Sequence, residues 1–208
     1  MKTLSLLRRE EYKRLSKLSL NGAILDIGGS RKSGYHELIQ GNHTFVVGNI
    51  DAAYGADVIF DAEQAWPYAD QHFEGVLFVN VLEHLYDHRF ALAEAQRVLT
   101  PGGKIAGVVP FMFNVHGSPN DFFRYTRTSL ERLLTDSGFT EVAVEELGTG
   151  AFSVIYHCLL GFVRWNWLAD LLIPIFTGID RVLAMLKPDN KMGAKHMPLG
   201  YYFEASRP

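Results

Sequence analysis

The chain has 208 residues, 48% of them apolar and 21% charged, which suits one globular domain with a sizeable core and excludes a disordered or repeat-built protein. A formal net charge of −3, with basic residues gathered only in Met1 to Leu20, argues against a nucleic-acid partner. The single cysteine, Cys158, leaves no intrachain disulfide to form and fits a cytoplasmic location, and its neighbours Tyr156, Leu159 and Leu160 imply a buried, inert thiol.

Residues 1–20 read as an N-terminal helix, with Leu4, Leu7, Leu15 and Leu18 on one face and Lys2, Arg8, Arg9, Lys13, Arg14 and Lys17 elsewhere. Charges interrupt every apolar run, so the segment is not expected to be a secretory signal. Its expected role is to cover a sheet edge or a ligand pocket; a basic membrane-surface helix is the alternative. Asn21-Gly22 ends it. Ala23-Ile24-Leu25-Asp26-Ile27 then forms a short apolar strand that breaks at Gly28-Gly29-Ser30. Buried parallel strands read as such runs, and ligands in an open α/β sheet sit beyond their carboxyl ends. Two glycines there let a ligand approach the backbone, and Asp26 can accept the hydrogen bonds that fix the turn. An ordinary tight turn is the alternative.

Thr44 to Asp51 is a β-branched run ending in an acid, and a carboxylate at that place can accept from both hydroxyls of a ribose. A turn-starting aspartate is the other reading of Asp51. Asp57 to Phe60 runs into Asp61-Ala62-Glu63, and Gly75 to Val81, through Asn80, runs into Leu82-Glu83-His84-Leu85. The stretch from Asp87 to Leu99 has Leu92, Ala95 and Leu99 at helical spacing, Asp87 as N-cap and Pro101-Gly102-Gly103 as the stop, before the strand Lys104 to Pro110. Strands alternating with helices imply a parallel sheet with right-handed crossovers. His84 and His88, spaced i, i+4 beside Glu83 and Asp87, can bind a metal on one helical face. The metalloprotease arrangement is missing, so no metal is assigned.

Phe111 to Thr126 is too polar and too punctuated to be core, and reads as an active-site loop carrying His116, Asn120, Asp121, Arg124 and Tyr125. Histidine suits general-base work, and Arg124 can offer a planar fork to a carboxylate or phosphate. An internally bonded loop, with Asp121 and Arg124 paired at i, i+3, is the alternative. Thr128-x-x-Glu131 has the form of a capping box, Leu130, Leu133 and Leu134 make one helical face, and Gly138 is the expected C-cap. Glu141 to Leu147 and Leu199 to Ala205 read as the last two strands. Between them lie about fifty residues that must hold structure of their own.

Residues 151–196 form that apolar insertion, with only Arg164, Asp170, Asp180 and Arg181 charged from Ala151 to Leu186. Phe162, Trp165, Trp167, Leu171, Ile175, Ile179 and Val182 suggest helices apolar around much of their circumference, broken at Pro174. Charges and Pro174 interrupt each candidate spanning run. Three roles stay open: a lid over an apolar acceptor, a homodimer surface through 151–186, or peripheral membrane contact.

Taken together, Leu25-Asp26-Ile27-Gly28, Val47-Gly48, Asp61-Ala62-Glu63, Val81-Leu82-Glu83-His84-Leu85 and Arg97-Val98-Leu99-Thr100-Pro101-Gly102-Gly103 resemble the class I S-adenosylmethionine-dependent methyltransferases, specifically the type 11 methyltransferase domain family, from about Ala23 to Leu147. The resemblance implies an α/β, Rossmann-like seven-stranded sheet: six parallel strands, an antiparallel seventh, helices on both faces and the helical insertion before the last strand. The same resemblance implies S-adenosylmethionine as cofactor and S-adenosylhomocysteine as product. The assigned cofactor residues are Asp26, Gly28, Gly29, Ser30, Asp51, Asp61, Ala62, Asn80 and Val81; His116, His84, Asp121, Arg124 and Tyr125 are assigned to the acceptor. The expected reaction is in-line methyl transfer to a small-molecule, sugar or lipid-linked acceptor. The alternative is a non-catalytic relative that docks on a protein or a membrane. Two departures stand out: Ser30 and Lys32 hold places where relatives usually carry glycine, and the usual ribose acid aligns near Asn49 or Ile50 rather than at Asp51.

Overall fold

The computed structural model describes residues 4–117, 119–160, 166–187 and 190–208, so Lys2, Phe162, Arg164 and Trp165 lie outside the described residues. Helix α1 (Leu6–Leu15) starts at Ser5, whose hydroxyl accepts from the Arg8 amide at 3.2 Å. Within 1–20 the helix is thus shorter than the apolar spacing suggested. Past Ser16 the backbone of Leu18 and Leu20 pairs with Gln40, and these inter-segment bonds replace further helical turns. Leu6, Leu7, Leu15 and Leu18 are buried while Leu4 is exposed.

Seven strands follow: β1 (Gly22–Ile27), β2 (His43–Asn49), β3 (Val58–Ile59), β4 (Phe73–Val79), β5 (Leu99–Pro110), β6 (Thr140–Leu147) and β7 (Gly200–Ser206). They form one sheet in the order 3-2-1-4-5-7-6. Neighbours among β1 to β5 pair in parallel, and β7 runs antiparallel to both β5 and β6. The result is six parallel strands with an antiparallel seventh, in a Rossmann-like sheet.

The two-residue period of the strands divides the core. Leu25, Phe78 and Phe203 face α2 (His88–Val98) and α3 (Arg127–Asp136); Ile24, Leu77 and Tyr202 face α1, α4 (Ala151–Leu160) and α5 (Asn166–Leu186). Each fully buried side chain of this kind contributes about 1.5–3 kcal/mol. Asp87 caps α2 by accepting from the Phe90 amide at 3.1 Å, and α3 buries Leu130, Leu133 and Leu134. The capping box of α3 is Thr126 with Ser129, not Thr128 with Glu131. A serine hydroxyl reaches the Thr126 amide at 2.9 Å, and Glu131 instead pairs with Arg127 at 3.2 Å.

Helices α4 and α5 lie between β6 and β7 in the chain and are joined by the Tyr156 hydroxyl donating to the Ala169 carbonyl at 3.1 Å and by one buried acid. Asp180 is 2% exposed and accepts from the Thr149 hydroxyl at 2.9 Å and from the Phe152 and Ser153 amides at 3.0 and 2.9 Å. A carboxylate at the amino end of α4 satisfies amides the helix leaves unpaired. Cys158 is exposed, against the buried thiol inferred from its neighbours. The face that α4 buries is the one carrying Ala151, Ser153 and Tyr156. Pro174 sits inside α5, which continues through it, and Trp167, Leu171, Ile175, Val182 and Met185 are exposed along the helix. Among the described residues no helix is long and apolar enough to cross a membrane.

Candidate active site

Strand order reverses between β1 and β4, and beyond the carboxyl ends of β1, β2 and β4 opens a crevice of about 660 Å³. Gly28, Asp51, Asp61, Ala62, Asn80 and Val81 all line it. Gly28 takes a φ of +65°, and a Cβ there would stand 2.7 Å from Val81 Cγ2, so both the turn and the close approach of Val81, just past the end of β4, require glycine. Asp26, Gly29 and Ser30 lie behind this surface rather than on it. Fully buried Asp26 accepts from the Tyr35 hydroxyl at 2.6 Å and lies 2.7 Å from His36 Nε2, while a Cβ on Gly29 would collide with its carboxylate. The Ser30 hydroxyl donates to the Tyr54 carbonyl at 2.9 Å. These three residues shape the loop that the crevice rests on.

Asp51 starts a single turn, Ala52–Tyr54, with its Oδ1 accepting from the Ala53 amide at 2.8 Å. It is therefore a turn residue that also faces the crevice. Asp61 holds its own loop the same way, through the Glu63 amide at 2.9 Å. Asn49, which sequence reasoning left aside, is 7% exposed and ties the end of β2 to the glycine loop: its Nδ2 donates to the Gly29 carbonyl at 2.9 Å, and its Oδ1 accepts from the Asp51 amide at 3.1 Å. Asn80 adopts a φ of +56°, a conformation asparagine tolerates better than most residues. Its side chain donates at 3.2 Å to Glu11 of α1, a buried acid whose carboxyl burial pushes up.

Next along the chain, Leu82–His84 makes a single tight turn that places Glu83 inward and His84 on the crevice wall. Glu83 is fully buried, and neither of its carboxyl oxygens has a hydrogen-bond partner among the described residues. Burial pushes its carboxyl up to about 8, and the Glu11 charge adds to the effect. His84 Nε2 lies 3.7 Å and His116 Nε2 4.0 Å from the same oxygen, Glu83 Oε1. The two imidazoles meet edge to face with centroids 5.1 Å apart. Burial holds the His84 ring below the usual histidine range, so it is neutral near pH 7.

The loop that carries His116 is clamped from within. Arg124 forks onto both oxygens of Asp121, with Nη2 to Oδ2 at 2.7 Å, and also donates to the Asn114 carbonyl at 3.1 Å. Asp121 Oδ2 in turn accepts from the His116 amide at 2.8 Å. The Arg124 guanidinium holds the Asp121 carboxyl down at about 2. Both residues are thus spent on the loop, the internally bonded reading, and they position His116 instead of reaching an acceptor. Tyr125 turns away from the crevice into the core, 5% exposed, with its hydroxyl on the Leu82 carbonyl at 3.1 Å. His88 also leaves the site and packs its ring on Phe123 and Tyr125.

A family model for a methyltransferase domain of type 11 matches residues 40–107, the stretch that runs from β2 into β5. A solved S-adenosylmethionine-dependent methyltransferase from Archaeoglobus fulgidus overlays on 96% of the chain and 94% of its own length, with 17% identity and a TM-score of 0.60. Residues 40–107 thus resemble a methyltransferase domain, and the chain shares the fold of this solved S-adenosylmethionine-dependent enzyme. A methyltransferase of the same kind from Aquifex aeolicus covers 69% of the chain and 85% of its own, with 17% identity and a TM-score of 0.53. Phosphoethanolamine N-methyltransferase 2 of Haemonchus contortus, solved with S-adenosyl-L-methionine, matches 97% of the chain at 15% identity and a TM-score of 0.59; the chain spans 52% of its length. No curated protein sequence matches the chain.

The size and lining of the crevice fit S-adenosylmethionine. A volume of about 660 Å³ lies within the range of small-molecule sites, its glycine floor admits no Cβ, and apolar Ile50, Phe60 and Ala62 stand beside the acids Asp51 and Asp61. Glu83 is the residue that sequence reasoning passed over as a site group. Its neighbour His84 drew attention through His88, one helical turn on, whereas the partner that completes the cluster is His116 on the loop after β5.

Proposed function

We propose that the protein transfers a methyl group from S-adenosylmethionine to a hydroxyl oxygen of a small-molecule, sugar or lipid-linked acceptor. The observation that carries this reading is one crevice joining the cofactor-type lining of β1, β2 and β4 to neutral His84 and to Gly117, Pro119 and Asn120 at the end of the His116 loop. Bound there, S-adenosylmethionine supplies an electrophilic methyl on a sulfonium. Asp51 receives the ribose hydroxyls on the oxygen that its turn leaves free, Asp61 and Ala62 border the adenine, and Gly28, Asn80 and Val81 line the path of the methionine part. His84 and His116 take the acceptor's proton as its oxygen forms the new bond to carbon; the electrons of the broken carbon–sulfur bond stay on sulfur, giving S-adenosylhomocysteine.

A second cavity of about 720 Å³ is lined by Phe111 to Asn114 from the start of the same loop and by Val154, His157, Cys158 and Leu160 of α4, apolar but for Asn114 and His157. Phe113 touches the His116 ring at 5.4 Å between centroids, so an acceptor with an apolar portion has a place for it next to the proton-taking group. The test is S-adenosylhomocysteine release from hydroxylated acceptors graded in alkyl length. Turnover is expected to rise with chain length, and Asp51→Ala is expected to raise the KM for S-adenosylmethionine roughly 10- to 100-fold, the loss of a charged hydrogen bond. Equal KM values for wild type and Asp51→Ala remove Asp51 from the ribose.

The second reading is a subunit that docks through 151–186 on a protein, a second copy of the chain or a membrane surface. It is favoured by the exposed residues Trp167, Leu171, Ile175, Val182 and Met185 of α5. Cofactor binding separates the two, since docking alone has no need of it.

A further inference from the structure

We infer that Glu83, His84 and His116 form a divalent-cation site of the two-histidine, one-carboxylate type, opening on the cofactor crevice. One ligand atom from each side chain lies within 4.8 Å of both others. The imidazoles are already oriented for this. His84 Nδ1 faces the Asn120 carbonyl at 2.5 Å and His116 Nδ1 the Asn114 carbonyl at 3.2 Å. A carbonyl only accepts, so each Nδ1 carries the hydrogen and each Nε2 presents its lone pair; carbonyls and carboxylates behind ligating histidines work in this way in metal sites. Both Nε2 atoms converge on Glu83 Oε1, at 3.7 and 4.0 Å. That carboxylate is fully buried and its oxygens accept no hydrogen bond among the described residues, an arrangement costly in itself and relieved by a cation.

The donor set decides the class of ion. Two imidazoles and one carboxylate suit a first-row divalent cation such as Zn²⁺ and leave coordination positions open. Ligands at 2.0–2.2 Å from a tetrahedral ion stand roughly 3.3 Å apart, so each histidine has to approach Glu83 by under an ångström and the two imidazoles each other by at most about 1.5 Å. The His116 side chain, 35% exposed, has room to move inward, and the Asp121 and Arg124 clamp behind it holds the loop in reach. An open position on the crevice would take the acceptor oxygen and make its hydroxyl more acidic. The inference rests on the methyl-transfer reading and replaces its proton step: with both Nε2 lone pairs on the cation, the cation acidifies the acceptor hydroxyl and the proton leaves to water.

The experiment is calorimetric titration of Zn²⁺ into tag-free, chelator-stripped full-length protein. One ion per chain is expected. Asp121→Asn, which keeps all three ligands and loosens His116, is expected to weaken binding roughly 10- to 100-fold, and Glu83→Gln by at least as much. His88→Ala, a histidine outside the cluster, is expected to leave it unchanged. Absence of stoichiometric binding, or binding untouched by Glu83→Gln and His116→Ala, overturns the site. Should either variant not fold, Co²⁺ added to wild type gives the answer by absorption, and a spectrum identical to the free ion overturns it equally. S-adenosylmethionine titrated into the same stripped protein separates the readings: cofactor binding without Zn²⁺ binding ends the metal site alone, and the converse ends the methyltransferase reading alone.

Discussion

Glu83→Gln is expected to make the metal-free protein more stable while lowering methyl transfer by about 10²-fold. The carboxyl sits fully buried without a hydrogen-bond partner among the described residues, and burial pushes it up to about 8, above its ordinary value of 4.5. Between those values the folded protein binds a proton that the unfolded chain does not. Stability from this group is therefore fully present below pH 4.5 and is lost as pH rises toward 8. At pH 7 the cost amounts to about 2–3 kcal/mol, which corresponds to a rise in Tm of roughly 5–10 °C when glutamine removes it. Thermal melts in a chelating buffer at pH 5 and pH 8 read the effect: the gain should be larger at the higher pH. A variant that is less stable at both would mean that Glu83 is a structural acid with partners of its own.

Asp121→Asn carries the second large effect, through position and not through contact with substrate. The Arg124 fork loses its charged acceptor and the His116 amide loses a strong one, so His116 no longer stands fixed beside Glu83. Turnover is expected to fall roughly 10- to 100-fold with the affinity for S-adenosylmethionine unchanged, because the crevice wall at the ends of β1 and β2 is untouched. Removing one member of a hydrogen-bonded charge pair also costs about 1–3 kcal/mol of stability. Because the Arg124 guanidinium depresses the Asp121 carboxyl to about 2, the stability it contributes is present above the unfolded value of 3.8 and is lost only as pH falls through about 2. The clamp is thus constant over the whole working range, and pH dependence near neutrality is expected to come from elsewhere. Equal loss of kcat and cofactor affinity in Asp121→Asn would assign the loop to cofactor binding instead.

The strands were legible because buried parallel strands leave continuous apolar runs, and Ala23 to Ile27, Gly75 to Val79 and Lys104 to Pro110 read without ambiguity; their order in the sheet came only from the structure. Asp87 and the Leu130, Leu133, Leu134 face were equally plain. Harder to read was which way a polar side chain turns. Asp26 and Ser30 stand in a ligand loop and serve only to build it; Arg124 and Tyr125 have the chemistry of an acceptor site and spend it on Asp121 and the Leu82 carbonyl. The box on α3 shifted to Thr126 and Ser129 because a hydroxyl performs the reach normally made by a glutamate. Glu83 was invisible for another reason. In the sequence it is one acid in a short turn, and only the return of the loop after β5 brings His116 to its oxygen and α1 brings Glu11 near enough to act on its charge.

The most direct measurement of the central claim is calorimetric titration of the purified protein with S-adenosylmethionine and S-adenosylhomocysteine. One ligand per chain with micromolar affinity, weakened in Asp51→Ala, is the expected result. A well-folded wild type that binds neither ligand would contradict a cofactor site at the ends of β1, β2 and β4 and leave the exposed face of α5 as the working surface.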